Sequence, residues 1–145
     1  MNLNIYNMKK IFLIAAVLFL YNSSVFSQKV PYNVVFDITN NEPAIQQRMI
    51  VLIKEIISAS PDAKVEVVFY GNSIAVIDKN KSAVADDISK LAENKQVQFR
   101  ACAIAMKKHD LDESGLVSGV QTVPDGIYEI VKKQAAGYGY IKIVQ

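Results

Sequence analysis

The sequence predicts an α/β protein, a single compact domain with a mainly parallel sheet of about five strands and helices on both faces. Two observations support this prediction. Apolar strand-like segments alternate with amphipathic helix-like segments, which is the order that produces parallel βαβ units. The first two strand-like segments are nearly continuous apolar runs, as expected for strands that are buried on both sides. The single cysteine excludes an intrachain disulfide scaffold.

The first helix shows how each element is justified. Asn41, Glu42 and Pro43 supply a cap, an acid and a first-turn proline, and apolar residues then recur at helical spacing up to Ile57. The same reasoning gives the other elements in chain order. They are strand Tyr32–Ile38, the helix from Pro43, strand Lys64–Tyr70, a helical turn at Ile74–Ile77, helix Ser82–Glu93, strand Val97–Ala101, helix Cys102–Lys108, a polar loop over Asp110–Gly119, strand Val120–Val123, a helix from Pro124 to Ala135 and strand Tyr138–Val144.

The first 27 residues have the order of a secretory signal. Lys9 and Lys10 precede ten unbroken apolar residues, and small or polar residues follow as far as Ser27. We therefore expect a signal peptide over residues 1–27 and an exported domain, periplasmic or secreted, over residues 28–145. A buried core helix is the alternative interpretation, but it does not explain the paired lysines.

The sequence does not indicate a membrane anchor or a nucleic-acid partner for the protein that remains after cleavage. The apolar run is shorter than the roughly 20 residues that span a bilayer, and no cysteine lies just past it to carry a lipid. The chain has 16 basic and 14 acidic residues, so loss of Lys9 and Lys10 leaves equal numbers. A neutral domain has no long-range attraction for nucleic acid or for an anionic membrane.

In parallel α/β sheets, ligands bind beyond the carboxyl ends of the strands. This rule selects residues that follow each predicted strand as candidates for a ligand site. They are Asp37, Thr39 and Asn40 after the first strand, Gly71, Asn72 and Ser73 after the second, Cys102 after the third, and Thr122 and Asp125 after the fourth.

Cys102 is the candidate nucleophile. It lies where a strand meets the next helix, and the positive end of a helix favours the reactive thiolate. Arg100 lies two residues back on the same side of the strand and could add positive charge as a thiolate stabiliser. The alternative is that Cys102 is a small buried residue of the core, which is common for a free cysteine.

Other kinds of site find little support in the sequence. His109 is the only histidine, so a metal cluster has too few ligands. No G-x-G-x-x-G motif follows the first strand, so the dinucleotide fingerprint is missing. We therefore expect no metal and no other cofactor.

The sequence resembles the DsrE/DsrF-like family over essentially all of residues 31–145. No single motif carries the resemblance, which rests on the order and spacing of several segments. They are Pro61–Val68 with Tyr70-Gly71, Ala85–Ile88 with Leu91–Glu93, Val97–Phe99 with Ala101–Ala103, Gly119-Val120, Val123–Gly126, Glu129–Val131, Gln134-Ala135 and Gly137–Ile141.

The resemblance implies a DsrE/DsrF-like parallel α/β sheet and a homo-oligomer, either a trimer or a hexamer. For some intracellular members it also implies sulfur relay through a cysteine that carries a persulfide, and Cys102 falls on that cysteine's position. One departure is that Ile104 and Ala105 replace an Asn-Thr pair found in many relatives, so polar groups near the thiol are lost.

Three hypotheses about function remain open at this point. In the first, Cys102 takes sulfur from a donor protein or molecule, holds it as a persulfide and passes it to an acceptor. In the second, the chain is a non-catalytic oligomer that binds a ligand or partner, with Cys102 in the core. In the third, Cys102 forms an intermolecular disulfide or senses oxidants, since an exported thiol meets an oxidising compartment.

Overall fold

The structure is a computed structural model that describes Met8, Lys10 and residues 30–144. Apart from Met8 and Lys10, the predicted signal peptide over residues 1–27 lies outside the described residues. The α/β unit begins at Pro31. Among the described residues, no helix combines the length and the apolar character needed to cross a bilayer.

Strands and helices alternate through residues 30–144, as the sequence predicts. The elements are β1 (Asn33–Ile38), α1 (Pro43–Ala59), β2 (Lys64–Phe69), a 3-10 helix (Gly71–Ile77), α2 (Ala85–Ala92), β3 (Val97–Cys102), α3 (Ala103–Lys108), a short 3-10 helix (Glu113–Gly115), β4 (Val120–Val123), α4 (Gly126–Ala135) and β5 (Gly139–Lys142).

The five strands form one sheet in the order β4-β3-β2-β1-β5, and every neighbouring pair is parallel. The predicted fold class is therefore confirmed. The register aligns Asp37 of β1 with Val68 of β2, and Val68 with Arg100 of β3. Because side chains alternate across a strand, these three residues share one face of the sheet.

The larger core lies on the other face, beneath α1, α2 and the first 3-10 helix. Alternate residues of the three central strands point into it, which follows from the period of two in a strand. The strand residues are Val34, Phe36, Ile38, Val65, Val67, Phe69, Val97, Phe99 and Ala101, and the helices add Ile45, Met49, Ile53, Ile74, Ile77, Ile88 and Leu91.

The face that carries Asp37 and Arg100 is covered by α4 and has a much smaller apolar core. Val35, Val68 and Ile130 are its buried apolar residues. We call this side of the sheet the α4 face. Helices thus lie on both faces, but the small apolar core of the α4 face leaves room for buried polar side chains.

Three helices begin later than the sequence predicts. The helix predicted from Ser82 begins at Ala85, and the other two shifts have a local cause. The last helix begins at Gly126 because Asp125 is its cap, and the Asp125 carboxylate accepts hydrogen bonds from the N–H groups of Ile127 and Tyr128 at 2.8 and 3.2 Å. The helix predicted from Cys102 begins at Ala103, because Cys102 still pairs with Val123 as the last residue of β3.

Candidate functional site at the carboxyl edge of the sheet

Three residues of the α4 face lie at the carboxyl ends of three consecutive strands of the sheet. Asp37 lies near the end of β1, Tyr70 follows the last residue of β2, and Cys102 is the last residue of β3. Because the strands are parallel and adjacent, this edge brings together side chains that are far apart in the sequence. We call the group formed by Asp37, Tyr70, Cys102 and Tyr140 the carboxyl-edge cluster.

Cys102 is closely covered by the start of α4. A Cβ placed on Gly126 would lie 3.0 Å from the Cβ of Cys102, 3.2 Å from a methyl carbon of Val68 and 3.4 Å from the Cβ of Tyr70. These distances are short for carbon contacts, so glycine lets the first turn of α4 approach β3. Cys102 is only 5% exposed and, at the end of β3, packs with the larger core as well as with the start of α4.

Asp37 is the buried carboxylate of this cluster, with 3% of its surface exposed. Its Oδ2 accepts a hydrogen bond of 2.5 Å from the hydroxyl of Tyr140 and lies 3.6 Å from the Nζ of Lys142. Its Oδ1 has no hydrogen-bond partner among the described residues. The buried carboxylate can therefore accept a further hydrogen bond.

The carboxylate of Asp37 also controls the ionisation of two tyrosines. Its hydrogen bond is the main cause that raises the pKa of Tyr140 to about 12, with burial and the Asp37 charge adding to it. The pKa of Tyr70 is raised by burial first, and then by the neighbouring carboxylate of Asp37. Both hydroxyls therefore stay protonated at neutral pH and can act as donors.

Arg100 lies on the same face as Cys102, but its guanidinium is held by other residues. Nε donates to Glu66 at 3.1 Å, one terminal nitrogen donates to Gln98 at 2.8 Å, and the other donates to Gln121. Glu66 and Gln98 lie toward the amino ends of their strands, so these contacts direct the charge away from the carboxyl edge.

The remaining predicted residues organise the loops at this edge. The Asn40 amide donates to the Glu42 carboxylate at 2.7 Å and accepts from the Glu42 N–H at 3.2 Å, so Asn40 holds the entrance to α1. Thr39 is half-buried and Asn72 is exposed. Gly71 has a φ of +61°, a backbone conformation that favours glycine at this turn.

Sequence reasoning did not identify three contributors to the site. The sequence contains no indication that Tyr140 lies beside Asp37. Tyr70 and Gly126 were part of the family resemblance without a role. A buried Glu66 in an otherwise apolar strand was a signal that could have been recognised, because a buried charge requires a partner.

The described residues contain no group of three or more His, Cys, Asp or Glu side chains arranged to bind a metal ion.

The comparisons with known proteins agree on one family. The sequence model of the DsrE/DsrF-like family matches residues 33–143. The chain is similar to a solved structure of a protein of unknown function from Methanobacterium thermoautotrophicum, with 28% identity and a TM-score of 0.72 over 77% of this chain and 98% of that one. No curated protein matches the chain significantly. The match covers β1 to β5 and the whole carboxyl-edge cluster, so the chain belongs to the DsrE/DsrF-like family.

Proposed function

We propose that the protein handles sulfur, and that Cys102 carries it as a persulfide between a donor and an acceptor. In the loading step the Cys102 thiolate attacks the outer sulfur of a donor persulfide. A new S–S bond forms at Cys102, the S–S bond of the donor breaks, and the donor leaves as its thiolate. An acceptor thiolate then removes the outer sulfur and restores the Cys102 thiolate. No net oxidant or reductant is needed.

The observation that carries this proposal is the position of the thiol. Cys102 lies at the junction of β3 and α3 in a chain of a family associated with sulfur relay. The reacting form of a cysteine is its thiolate, which is the nucleophile in this exchange. Arg100 is therefore not a contact of the thiol in this proposal, because its hydrogen bonds are made to Glu66, Gln98 and Gln121.

The low exposure of Cys102 sets a condition on the mechanism. Because Cys102 is only 5% exposed, we propose that a neighbouring element moves before the thiol reacts. Gly126 lies over the thiol at the first turn of α4, where the packing depends on a single glycine hydrogen. We therefore propose that the first turn of α4 opens to admit the donor, and that Asp37, Tyr70, Thr39, Asn40, Gly71 and Asn72 line the path.

Intact-mass measurement tests the loading step. The mature protein is incubated with a sulfane-sulfur donor such as polysulfide and is then weighed without reduction. We expect a gain of a single sulfur atom in the wild type and no gain in Cys102→Ala. Wild-type protein that gains no sulfur, while its thiol is alkylated only after unfolding, would show that Cys102 is a core residue.

A second candidate function is a non-catalytic oligomer that binds a ligand or partner. The outer side of α4 favours it, because Ile127, Tyr128 and Val131 are 59%, 61% and 52% exposed. Three neighbouring apolar residues on one helix form a surface that a second copy could cover. Light scattering tests this: we expect a trimer or hexamer, and Val131→Lys should reduce it to a smaller species. A wild-type monomer at high concentration would exclude the oligomer.

We further propose that the protein is exported after removal of residues 1–27. The paired lysines and the apolar run that follows them support export. Fusion of residues 1–27 to a reporter that is active only outside the cytoplasm should give activity. Replacement of Lys9 and Lys10 by Glu should reduce that activity. Reporter activity that does not depend on residues 1–27 would contradict export.

A further inference from the structure

A polar cleft lies at the amino ends of β2 and β3, on the opposite edge of the sheet from Cys102. It has a volume of about 200 Å³, and Lys64, Glu66, Lys95, Gln98, Lys133 and Tyr138 contribute to its walls. We call it the amino-edge cleft. A water molecule occupies about 30 Å³ of liquid volume, so the cleft has room for a small organic molecule.

Glu66 contributes a buried carboxylate to the wall of the amino-edge cleft. The side chain is only 1% exposed, and its Oε2 accepts from Lys133 Nζ at 2.8 Å and from Arg100 Nε at 3.1 Å. Its Oε1 has no hydrogen-bond partner among the residues that the structure describes. A buried acceptor without a partner is unfavourable, so this oxygen would gain from a ligand that brings a donor.

The charges around Glu66 favour an anion. Lys133 and Arg100 bind its carboxylate directly, and two exposed lysines, Lys64 and Lys95, lie on the same cleft. The cleft wall therefore carries three lysines and one carboxylate, and Arg100 pairs with that carboxylate from outside the wall. A small cleft with such an excess of positive charge concentrates anions.

We propose that the amino-edge cleft binds a small hydroxycarboxylate. The carboxylate of the ligand would lie against Lys64 and Lys95, and its hydroxyl would donate to the free Oε1 of Glu66. A neutral hydroxyl fits this position better than an ammonium group, because the two cations on Oε2 would repel a third. The proposal concerns a second site and does not depend on the reactivity of Cys102.

Malate and succinate form a matched pair of probes, because they differ by a single hydroxyl group. Isothermal titration of the mature protein should show malate binding at least tenfold more tightly than succinate, since a hydrogen bond to a charged acceptor has that effect or more. Equal affinity for the two probes, or no binding of malate, would overturn the proposal.

Two sets of variants assign the binding to the cleft. The double variant Lys64→Ala with Lys95→Ala should weaken malate binding at least tenfold. The control pair Lys107→Ala with Lys108→Ala removes the same charge from the exposed end of α3 and should leave the affinity within twofold. Equal losses in both pairs would show that only the net charge of the protein attracts malate, and would overturn the site.

The role of the carboxylate is tested by Glu66→Gln, which should reduce the preference for malate over succinate to less than threefold. An unchanged preference in folded Glu66→Gln would overturn the assigned hydrogen bond. Cys102→Ala should bind malate as the wild type does, so a failure of the sulfur-carrier proposal leaves this test intact.

Discussion

Asp37 and Glu66 are both almost completely buried on the α4 face, but their partners differ in kind. Glu66, in the amino half of β2, is held by two cations at 2.8 and 3.1 Å. Asp37, near the carboxyl end of β1, is held by the neutral hydroxyl of Tyr140 at 2.5 Å, and the nearest cation is 3.6 Å away on Lys142. In each case one carboxylate oxygen has no partner among the described residues.

This difference gives the two edges of the sheet different electrostatic environments. An ion-paired carboxylate fixes the positions of its partners, and its removal leaves buried positive charge. A carboxylate held mainly by hydroxyls raises the pKa of those hydroxyls instead, as it does for Tyr70 and Tyr140. The amino edge is therefore held by ion pairs, whereas the carboxyl edge is held mainly by a hydrogen bond from a hydroxyl group.

The largest expected effect follows from removal of Glu66. Glu66→Ala leaves Arg100 and Lys133 without their shared partner, and we expect the free energy of unfolding to fall by about 3 kcal/mol. Asp37→Ala is the matched comparison and should lower it by about 1 kcal/mol, because only neutral hydroxyls and a distant lysine lose a partner. Urea unfolding measures both values, and the reverse order would contradict the comparison.

The second-largest effect is expected at Gly126, the glycine that covers Cys102 at the carboxyl edge. Gly126→Ala places a methyl group 3.0 Å from the Cβ of Cys102, so the first turn of α4 must shift, and we expect a loss of about 2 kcal/mol. The shift should also speed alkylation of the native thiol. Gly139→Ala is the control, because the nearest atom to its new Cβ is the carbonyl oxygen of Asn33 at 3.7 Å. Equal losses in the two variants would contradict close packing at Gly126.

Tyr140 adds a pH dependence to the comparison. Its folded-state pKa is about 12, above the ordinary 10.0, so its contribution to stability is complete below about pH 10 and is lost as the pH rises through 12. Tyr140→Phe should lower the free energy of unfolding at pH 7 by about 1 kcal/mol and flatten its decline above pH 10. Urea unfolding across this range, with Tyr32→Phe as the control, measures both effects. An unchanged alkaline decline would contradict the coupling to Asp37.

The smallest effect is expected at Lys142. Its side chain is 48% exposed and its Nζ lies 3.6 Å from Asp37, so Lys142→Ala should change the free energy of unfolding by less than about 0.5 kcal/mol. Lys133→Ala should have a clearly larger effect, because that side chain is 20% exposed and lies 2.8 Å from Glu66. A larger effect at Lys142 would mean that Asp37 also depends on an ion pair.

The fold could be predicted from the sequence because its signals are local. The apolar run of β1, the start of α1 at Pro43 and the position of Cys102 at a strand end are all visible within a few residues of chain. The contacts of the site are not local. Tyr140 and Asp37 are 103 positions apart, and their meeting depends on the register of β5 against β1.

The partners of Arg100 likewise could not be predicted from the local sequence. Its side of the strand follows from alternation, but the choice of Glu66 as partner depends on how β2 pairs with β3. The sequence showed only that Arg100 and Cys102 share a face. The predicted role of Arg100 as a thiolate stabiliser therefore could not be weighed against an ion pair with Glu66.

Transfer of sulfur to an acceptor thiol tests the proposed carrier most directly. The protein is loaded from an isotopically labelled sulfane donor, freed of excess donor and mixed with a low-molecular-weight thiol, and the label is followed into that thiol. A sulfur carrier should release a single labelled sulfur atom per chain, and Cys102→Ala should release none. Label that stays on the wild-type protein, or that leaves the Cys102→Ala variant equally well, would contradict the carrier role.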